Sequence, residues 1–236
     1  MRTDLKPIID VVIPAFNEQE SIAYILKDMP MDWVREVVVV NNNSTDDTVK
    51  RASAGGAIVL DEPRQGYGYA CLKGIDFLQK KTSPPDIIVF MDADYSDHPE
   101  ELPLVVAPII EDNMDMVIGS RALGKREKKS MMPQQIFGNW LATTLIRWFY
   151  GAKFTDLGPF RALKFNRLLE LNMQDKTYGW TVEMQVKAAR KKYRFTEVPV
   201  NYRERIGVSK VTGTIKGTIL AGYKIIFTIF KYALKK

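Results

Sequence analysis

The sequence predicts an α/β protein, a mostly parallel sheet with helices on both faces, and three observations predict it. Short β-branched apolar runs recur through the first half of the chain. Amphipathic stretches of helix length separate them. The runs are apolar on both alternating faces, apart from Asp10, which suits strands covered by helices on either side. Of 236 residues, 46% are hydrophobic, enough for one sizeable core.

The elements follow in order. Ile9-Asp10-Val11-Val12-Ile13 forms the first strand and residues 20–29 a helix. Four consecutive valines at 37–40 form the second strand, since branching at Cβ restricts helical rotamers and packs well on a pleated surface. A helix spans 46–54, where Thr45-Asp46-Asp47 offers short polar side chains to free backbone N–H groups and negative charge to the helix start. Residues 57–60 and 87–91 are further strands, residues 68–79 the helix between them, and residues 115–118 another strand. The pattern then changes. Residues 119–135 carry Arg121, Lys125, Arg126, Lys128 and Lys129 with little apolar periodicity, and read as a basic, mobile loop. An aromatic-rich helix with Trp140 and Trp148 follows over 136–150.

Residues 213–236 are compatible with a terminal helix. At 100° per residue, Gly217, Lys224, Thr228, Lys231 and Lys235 share one narrow stripe, and isoleucines, phenylalanines and Leu234 occupy most of the remainder. That apolar face is too wide for an ordinary surface helix. Two readings stand: packing into the protein or a homo-oligomer, or lying in a membrane interface with the lysines at the headgroups. Tyr223, Tyr232 and Lys235-Lys236 favour the membrane.

Composition excludes whole classes. Charged residues at 26% and aromatics at 11% exclude disorder and coiled-coil bias. Cys71 is the only cysteine and His98 the only histidine, so a disulfide framework and cysteine or multi-histidine metal sites are excluded, and a metal would be held by oxygen. No secretory leader is visible and no run of about 18 apolar residues occurs, so a cytoplasmic, reducing location is expected. The net charge of +6 conceals an asymmetry: residues 1–118 hold 10 basic and 21 acidic side chains, and residues 119–236 hold 24 and 7. One half suits cations, the other phosphate-rich or membrane surfaces.

Asp92-Ala93-Asp94 follows directly on the fourth apolar strand. Ligands of open α/β sheets bind at the carboxyl ends of the strands, where two carboxylates one residue apart can hold a hard divalent cation and, through it, a diphosphate. An isolated Asp-x-Asp is more often a solvated turn, so the weight rests on what accompanies it. Gly66-Tyr67-Gly68 is not a dinucleotide turn, because Cys71 takes the third glycine position and the segment does not follow the first strand. A nucleic-acid surface is disfavoured because the aromatics of the basic half cluster in apolar helices.

The accompanying motifs are Val12-Ile13-Pro14-Ala15-Phe16-Asn17-Glu18, Asn43-Ser44-Thr45-Asp46-Asp47-Thr48, Gly66-Tyr67-Gly68, Asp92-Ala93-Asp94-Tyr95-Ser96-Asp97-His98-Pro99-Glu100 and Gly119-Ser120-Arg121. Asp156-Leu157-Gly158-Pro159-Phe160-Arg161, Gly179-Trp180-Thr181-Val182-Glu183-Met184 and Arg205-Ile206-Gly207-Val208-Ser209-Lys210 complete the series. In this order they resemble the glycosyltransferase family 2 enzymes of the GT-A fold, and more closely their dolichol-phosphate mannose synthase and polyprenyl-phosphate glucosyltransferase branch. The resemblance covers residues 8 to about 212, leaving the terminal helix as an addition. It implies that Pro14, Phe16, Glu18, Asn42 and Ser44 surround base and ribose, with Gly66, Ala93 and Arg205 also in the donor site. Asp92 and Asp94 would hold Mg²⁺ or Mn²⁺, and Arg121 and Lys210 would meet the phosphates.

Two departures bear on the donor. Asn41-Asn42-Asn43-Ser44 stands where many relatives have Asp-Asp-Gly-Ser; an amide offers uracil both an acceptor and a donor, which leans toward a UDP-sugar. Ser96 replaces the glutamine common in mannosyl-lipid enzymes, which leaves the sugar open. For the acceptor, a hydroxyl would need a general base, with Glu183 or Asp156 as candidates. A polyprenyl phosphate is already anionic and needs positive charge beside a membrane instead, which the basic loop and the two aromatic helices supply. The expected activity is inverting transfer of a hexose from a nucleotide-sugar to a polyprenyl phosphate by a peripheral membrane enzyme. The rivals are transfer to a hydroxyl and a non-catalytic nucleotide-sugar sensor.

Overall fold

The structure is a computed structural model and describes residues 6–207 and 215–234. Strands β1 (Ile9–Ala15), β2 (Glu36–Asn41), β3 (Ile58–Asp61), β4 (Ile87–Phe90), β5 (Met116–Ser120), β6 (Arg161–Lys164) and β7 (Phe195–Pro199) form one sheet of order β3-β2-β1-β4-β6-β5-β7. All neighbours pair parallel except β6, which runs antiparallel to both β4 and β5. Helices α1 (Ile22–Asp28), α2 (Thr48–Ala54), α3 (Tyr67–Gln79), α4 (Leu102–Glu111), α5 (Pro133–Tyr150), α6 (Phe165–Leu171), α7 (Trp180–Arg190) and α8 (Ile215–Ala233) cover the two faces. The α/β expectation and its mostly parallel sheet hold.

Alternation along the strands builds two cores. Val12, Val38, Ile88 and Phe90 face α3, α5 and α7, whereas Val11, Ile13, Val37 and Val89 face α1 and α4. Asp10, the one charge in β1, is buried, and Arg35 Nε donates to its Oδ1 at 2.9 Å with Nη2 on the other oxygen. The start of α2 is also polar as expected, with a different donor set. Asp47 makes no cap, and Asp46 Oδ1 instead accepts from Thr48 N at 3.0 Å.

The segment expected as a mobile basic loop is tied down. Gly119 and Ser120 belong to β5, Tyr202 N donates to Lys125 O at 2.9 Å, and Glu127 N donates to Tyr202 O at 2.9 Å. Lys125, Arg126, Lys128 and Lys129 are exposed, whereas Arg121 points inward.

Helix α8 packs into the protein, as one of the two readings of the terminal segment has it, and reverses the expected polarity. It packs on α5 and α7 through Thr228, Ile229 and Tyr232. Tyr232 Oη donates to Glu183 Oε1 at 2.6 Å, and Lys224 pairs with Asp175 at 3.0 Å. The stripe that includes Lys224 and Thr228 thus turns toward the protein. The outward arc is apolar: Ile219 and Tyr223 are each 65% exposed, and Phe227, Phe230 and Leu234 accompany them. Ile136, Phe137, Trp140, Trp148 and Phe149 of α5 extend this surface, with Phe149 edge-on to Phe230 at 5.1 Å. No helix among the described residues is long and apolar enough to cross a membrane.

Gly68 sets how closely α3 approaches the turn before α7. A Cβ there would lie 2.1 Å from the Asp175 carbonyl oxygen, inside hard-sphere contact. Gly68→Ala is expected to destabilise the fold by roughly 2–3 kcal/mol through overpacking against backbone, read from the urea midpoint; an unchanged midpoint would show that the two segments separate freely.

Candidate active site

The carboxyl ends of β1, β2 and β4 open into a cavity of about 300 Å³. Pro14, Ala15 and Phe16 continue β1 into its floor, Asn42 lies at the end of β2, and Gln65, Gly66 and Tyr67 lead into α3. Asp92, Ala93 and Asp94 continue β4, and Glu18, Tyr178 and Arg205 complete the wall. Of the residues named for a donor site, Pro14, Phe16, Glu18, Asn42, Gly66, Ala93 and Arg205 therefore meet with Asp92 and Asp94 in one place.

The turn after β4 is shaped by Tyr95, whose φ of 61° lies in the left-handed region that a bulky side chain rarely adopts. This bend lets Asp94 Oδ1 accept from Ser96 N at 2.9 Å and Ser96 Oγ at 2.5 Å. The guanidinium of Arg203 covers the Tyr95 ring at 3.8 Å. Asp94 Oδ2 faces Arg205 Nη1 at 3.1 Å, whereas Asp92 Oδ1 is buried without a hydrogen-bond partner. Desolvation raises the Asp92 pKa to about 6, the charge of Asp94 adds to the rise, and Tyr67, Arg205 and Arg121 oppose it. Behind them Asp97 is also buried with both oxygens unpartnered, and burial pushes its pKa up.

An orphaned carboxylate oxygen beside a second carboxylate is a donor set for a hard divalent cation, so Asp92 and Asp94 fit Mg²⁺ or Mn²⁺. Among the described residues no group of three or more His, Cys, Asp or Glu side chains is placed to hold a metal. The remaining ligands would have to be ligand phosphate and water.

A second cavity of about 270 Å³ shares Tyr67, Asp92, Asp94, Tyr178 and Arg205 with the first. Its other walls include Arg121, Thr181, Trp180 and Tyr202, with Gln135 from α5 and Ala221 from α8. Arg121 Nε and Nη2 clasp Asp156 at 2.8 and 2.7 Å, and its guanidinium lies 5.0 Å over the Tyr202 ring. Burial works against the Arg121 charge, and the Asp156 carboxylate outweighs it, raising the pKa.

Several expected site residues have other duties. Glu183 is buried outside both cavities: it accepts from Gln174 N at 3.0 Å, Asp175 N at 2.7 Å and Tyr232 Oη, and it pairs with Lys187 at 2.8 Å. These contacts engage both carboxylate oxygens, and Glu183 lines neither cavity. Asp156 is likewise engaged, by its bidentate pairing with Arg121. Asn42 does not present its amide to a base: Nδ2 donates to Glu62 O and Arg64 O at 2.9 and 2.8 Å, and Oδ1 accepts from Gly66 N at 2.7 Å. Ser44 does not line the cavity, and its Oγ accepts from Asn17 N at 3.0 Å. Lys210 lies outside the described residues. Gln65, Tyr67, Tyr178 and Trp180 carried no individual role in the sequence, although Tyr67 and Trp180 sit inside quoted motifs.

A mostly parallel sheet with one antiparallel insertion, and paired aspartates where β4 ends in a cavity, define the class of GT-A glycosyltransferases. The fold likeness is direct: glucosyl-3-phosphoglycerate synthase of Mycobacterium tuberculosis, solved with Mn²⁺, UDP and glucosyl-3-phosphoglycerate, superposes with a TM-score of 0.74 at 22% identity, covering 96% of this chain and 80% of that one. Residues 10–171 match Glycosyl transferase family 2, and the chain belongs to that family. An uncharacterized glycosyltransferase of M. tuberculosis is 34% identical over 90% of this chain and 94% of its own. The dolichyl-phosphate hexose transferase of Haloferax volcanii is 30% identical over 85% of each chain. The undecaprenyl-phosphate mannosyltransferase of Micrococcus luteus is 32% identical over 56% of each.

The raised pKa of Asp92 fixes a pH signature. The folded chain keeps this proton up to about pH 6, whereas an unfolded aspartate releases it near 3.8. Stability is therefore lost as pH rises between those values, by on the order of 3 kcal/mol. In chelator, Asp92→Asn should raise Tm by roughly 5–10 °C at pH 7.5 and leave it nearly unchanged at pH 4. Equal shifts in thermal melts at both pH values would contradict this origin.

Proposed function

We propose that this glycosyltransferase moves a hexose from a nucleotide-sugar of the UDP-glucose or GDP-mannose type to a polyprenyl phosphate at a membrane surface. One observation carries the reading. The cavity that shares Asp92, Asp94 and Arg205 with the donor site is bounded on its far side by α5 and α8, the helices that bear the exposed apolar surface. A lipid chain lying along that surface brings its phosphate end to Arg205 and Arg121. The exposed Lys125, Arg126, Lys128 and Lys129 flank α5 and would attract anionic headgroups by about 1 kcal/mol each. The two curated prenyl-phosphate sugar transferases among its relatives support the same acceptor class.

The chain's residues then have defined tasks. The ends of β1 and β2 and the turn into α3 enclose the nucleoside, so that the hexose lies between the two cavities beside Tyr67 and Tyr178. An acceptor phosphate oxygen attacks the anomeric carbon from the second cavity as the bond to the donor diphosphate breaks, which inverts the centre. The nucleophile is already ionised at neutral pH, so the commitment of Glu183 and Asp156 to structural partners costs the reaction nothing. Arg205 offsets phosphate charge, and Arg121, paired with Asp156, holds the wall of the second cavity in place. Mg²⁺ or Mn²⁺ on Asp92 and Asp94 would supply Lewis-acid stabilisation to the departing nucleoside diphosphate.

Incubation with radiolabelled UDP-glucose or GDP-mannose, Mn²⁺ and polyprenyl phosphate is expected to move label into the organic phase. Label appearing only on soluble saccharides or on 3-phosphoglycerate would overturn the lipid acceptor. Glu183→Gln separates the lipid reading from transfer to a hydroxyl. It should lower the urea midpoint by an amount worth about 1–3 kcal/mol and leave turnover of the folded enzyme within about threefold. A loss of turnover of about 10²-fold or more at full stability would identify a base instead.

A further inference from the structure

We propose that Arg205 and the divalent cation compete for one oxygen of Asp94, and that Arg205, once displaced from it, becomes available to the phosphates. The proposal rests on the reading of Asp92 and Asp94 as the cation ligands.

The geometry leaves a single contested atom. Asp94 is 4% exposed, and its Oδ1 is committed to the amide and hydroxyl of Ser96. Only Oδ2 remains, and Arg205 Nη1 lies 3.1 Å from it. A guanidinium and a hard divalent cation cannot share that oxygen at contact distance without strong like-charge repulsion. Arg205 is also loosely held there. Its second contact, Nη2 to Glu18 Oε1, is long at 3.4 Å, and its buried Nε has no partner. A guanidinium that satisfied its fork would use these donors, as Arg121 does on Asp156.

The backbone around Arg205 is better anchored than its side chain. Ile206 N donates to Asp94 O at 3.0 Å, and Arg203 N donates to Ser96 O at 3.0 Å. A change of rotamer alone can therefore carry the guanidinium away from Asp94 without moving the turn. Arg205 lines both cavities, so the charge released from Asp94 stays within reach of the junction where donor diphosphate and acceptor phosphate meet. Before displacement, Arg205 faces both Asp94 and Glu18 and attracts phosphate weakly; afterwards only the long Glu18 contact offsets its charge. Cation binding and phosphate binding are then positively coupled, and by linkage each strengthens the other.

The test is calorimetric titration of Mn²⁺, without nucleotide, into the wild-type chain, Arg205→Met, Arg205→Lys, Arg203→Met and Asp94→Asn, each checked for fold by circular dichroism. Arg205→Met should bind Mn²⁺ roughly tenfold more tightly than wild type, with Arg205→Lys between them. In the presence of Mn²⁺, Arg205→Met should bind UDP more weakly than wild type. Arg203 carries a nearby charge on the Tyr95 ring and does not contact Asp94, so Arg203→Met should leave Mn²⁺ affinity unchanged. Equal Mn²⁺ affinity in Arg205→Met and wild type, with binding abolished in Asp94→Asn, would overturn the competition and leave the cation ligands standing. A gain in Arg203→Met equal to that in Arg205→Met would overturn it in favour of a general field effect. Unaltered binding in Asp94→Asn would overturn the ligand assignment, and the proposal with it.

Discussion

The pairing of Arg121 with Asp156 is the constraint on which the site depends. A parallel sheet of this order must admit the antiparallel strand β6 between β4 and β5, and residues 121 and 156 are where the chain leaves β5 and returns toward β6. Asp156 is 1% exposed and fastens three parts of the chain there. Its carboxylate holds the Arg121 amide and guanidinium, its N–H donates to Glu197 of β7 at 3.1 Å, and its carbonyl accepts from Gln185 of α7 at 2.9 Å. Through the Tyr202 ring the clamp reaches the strand-like segment that pairs with Asp97 and so steadies the turn after β4. Such a pair adds little net stability against an apolar replacement, but losing one partner strands a buried charge. Its value is positional.

A second buried cation shows the same economy. Arg161 of β6 is wholly enclosed, and it donates to the carbonyls of Gly158, Leu157 and Thr181 rather than to a carboxylate. Burial lowers its pKa to about 10, which still leaves it charged at neutral pH. The charges of Asp156 and Asp92 favour its ionised form without touching it.

Much of this was legible in the residues. The valine and isoleucine runs located β1 to β5, because buried parallel strands are apolar on both faces, and Asp92-Ala93-Asp94 lay where the open end of such a sheet binds ligands. Strand β6 was not legible: Arg161-Ala162-Leu163-Lys164 is four residues long with a charge at each end, and only its position between β4 and β5 makes it a strand. Asn42 and Glu183 show a related limit, since both are engaged by neighbouring groups of the chain. Residue type shows what a side chain can donate or accept, and the fold decides whether that capacity is spent on the backbone nearby. Tyr178 had no signal, since it enters both cavities from a turn that chain contacts alone define.

The inward-turned polar stripe of α8 also bears on how the molecule can be cut. Read along the sequence, the last helix is an appendage to a domain that is complete without it. In space, Lys224 braces Asp175, whose Oδ1 in turn holds the amides of Thr177 and Gly179 on either side of Tyr178. Ala221 lines the second cavity itself. Trimming the chain before α8 would remove, together with its exposed apolar surface, the Lys224 contact to Asp175 and the Ala221 wall of the second cavity.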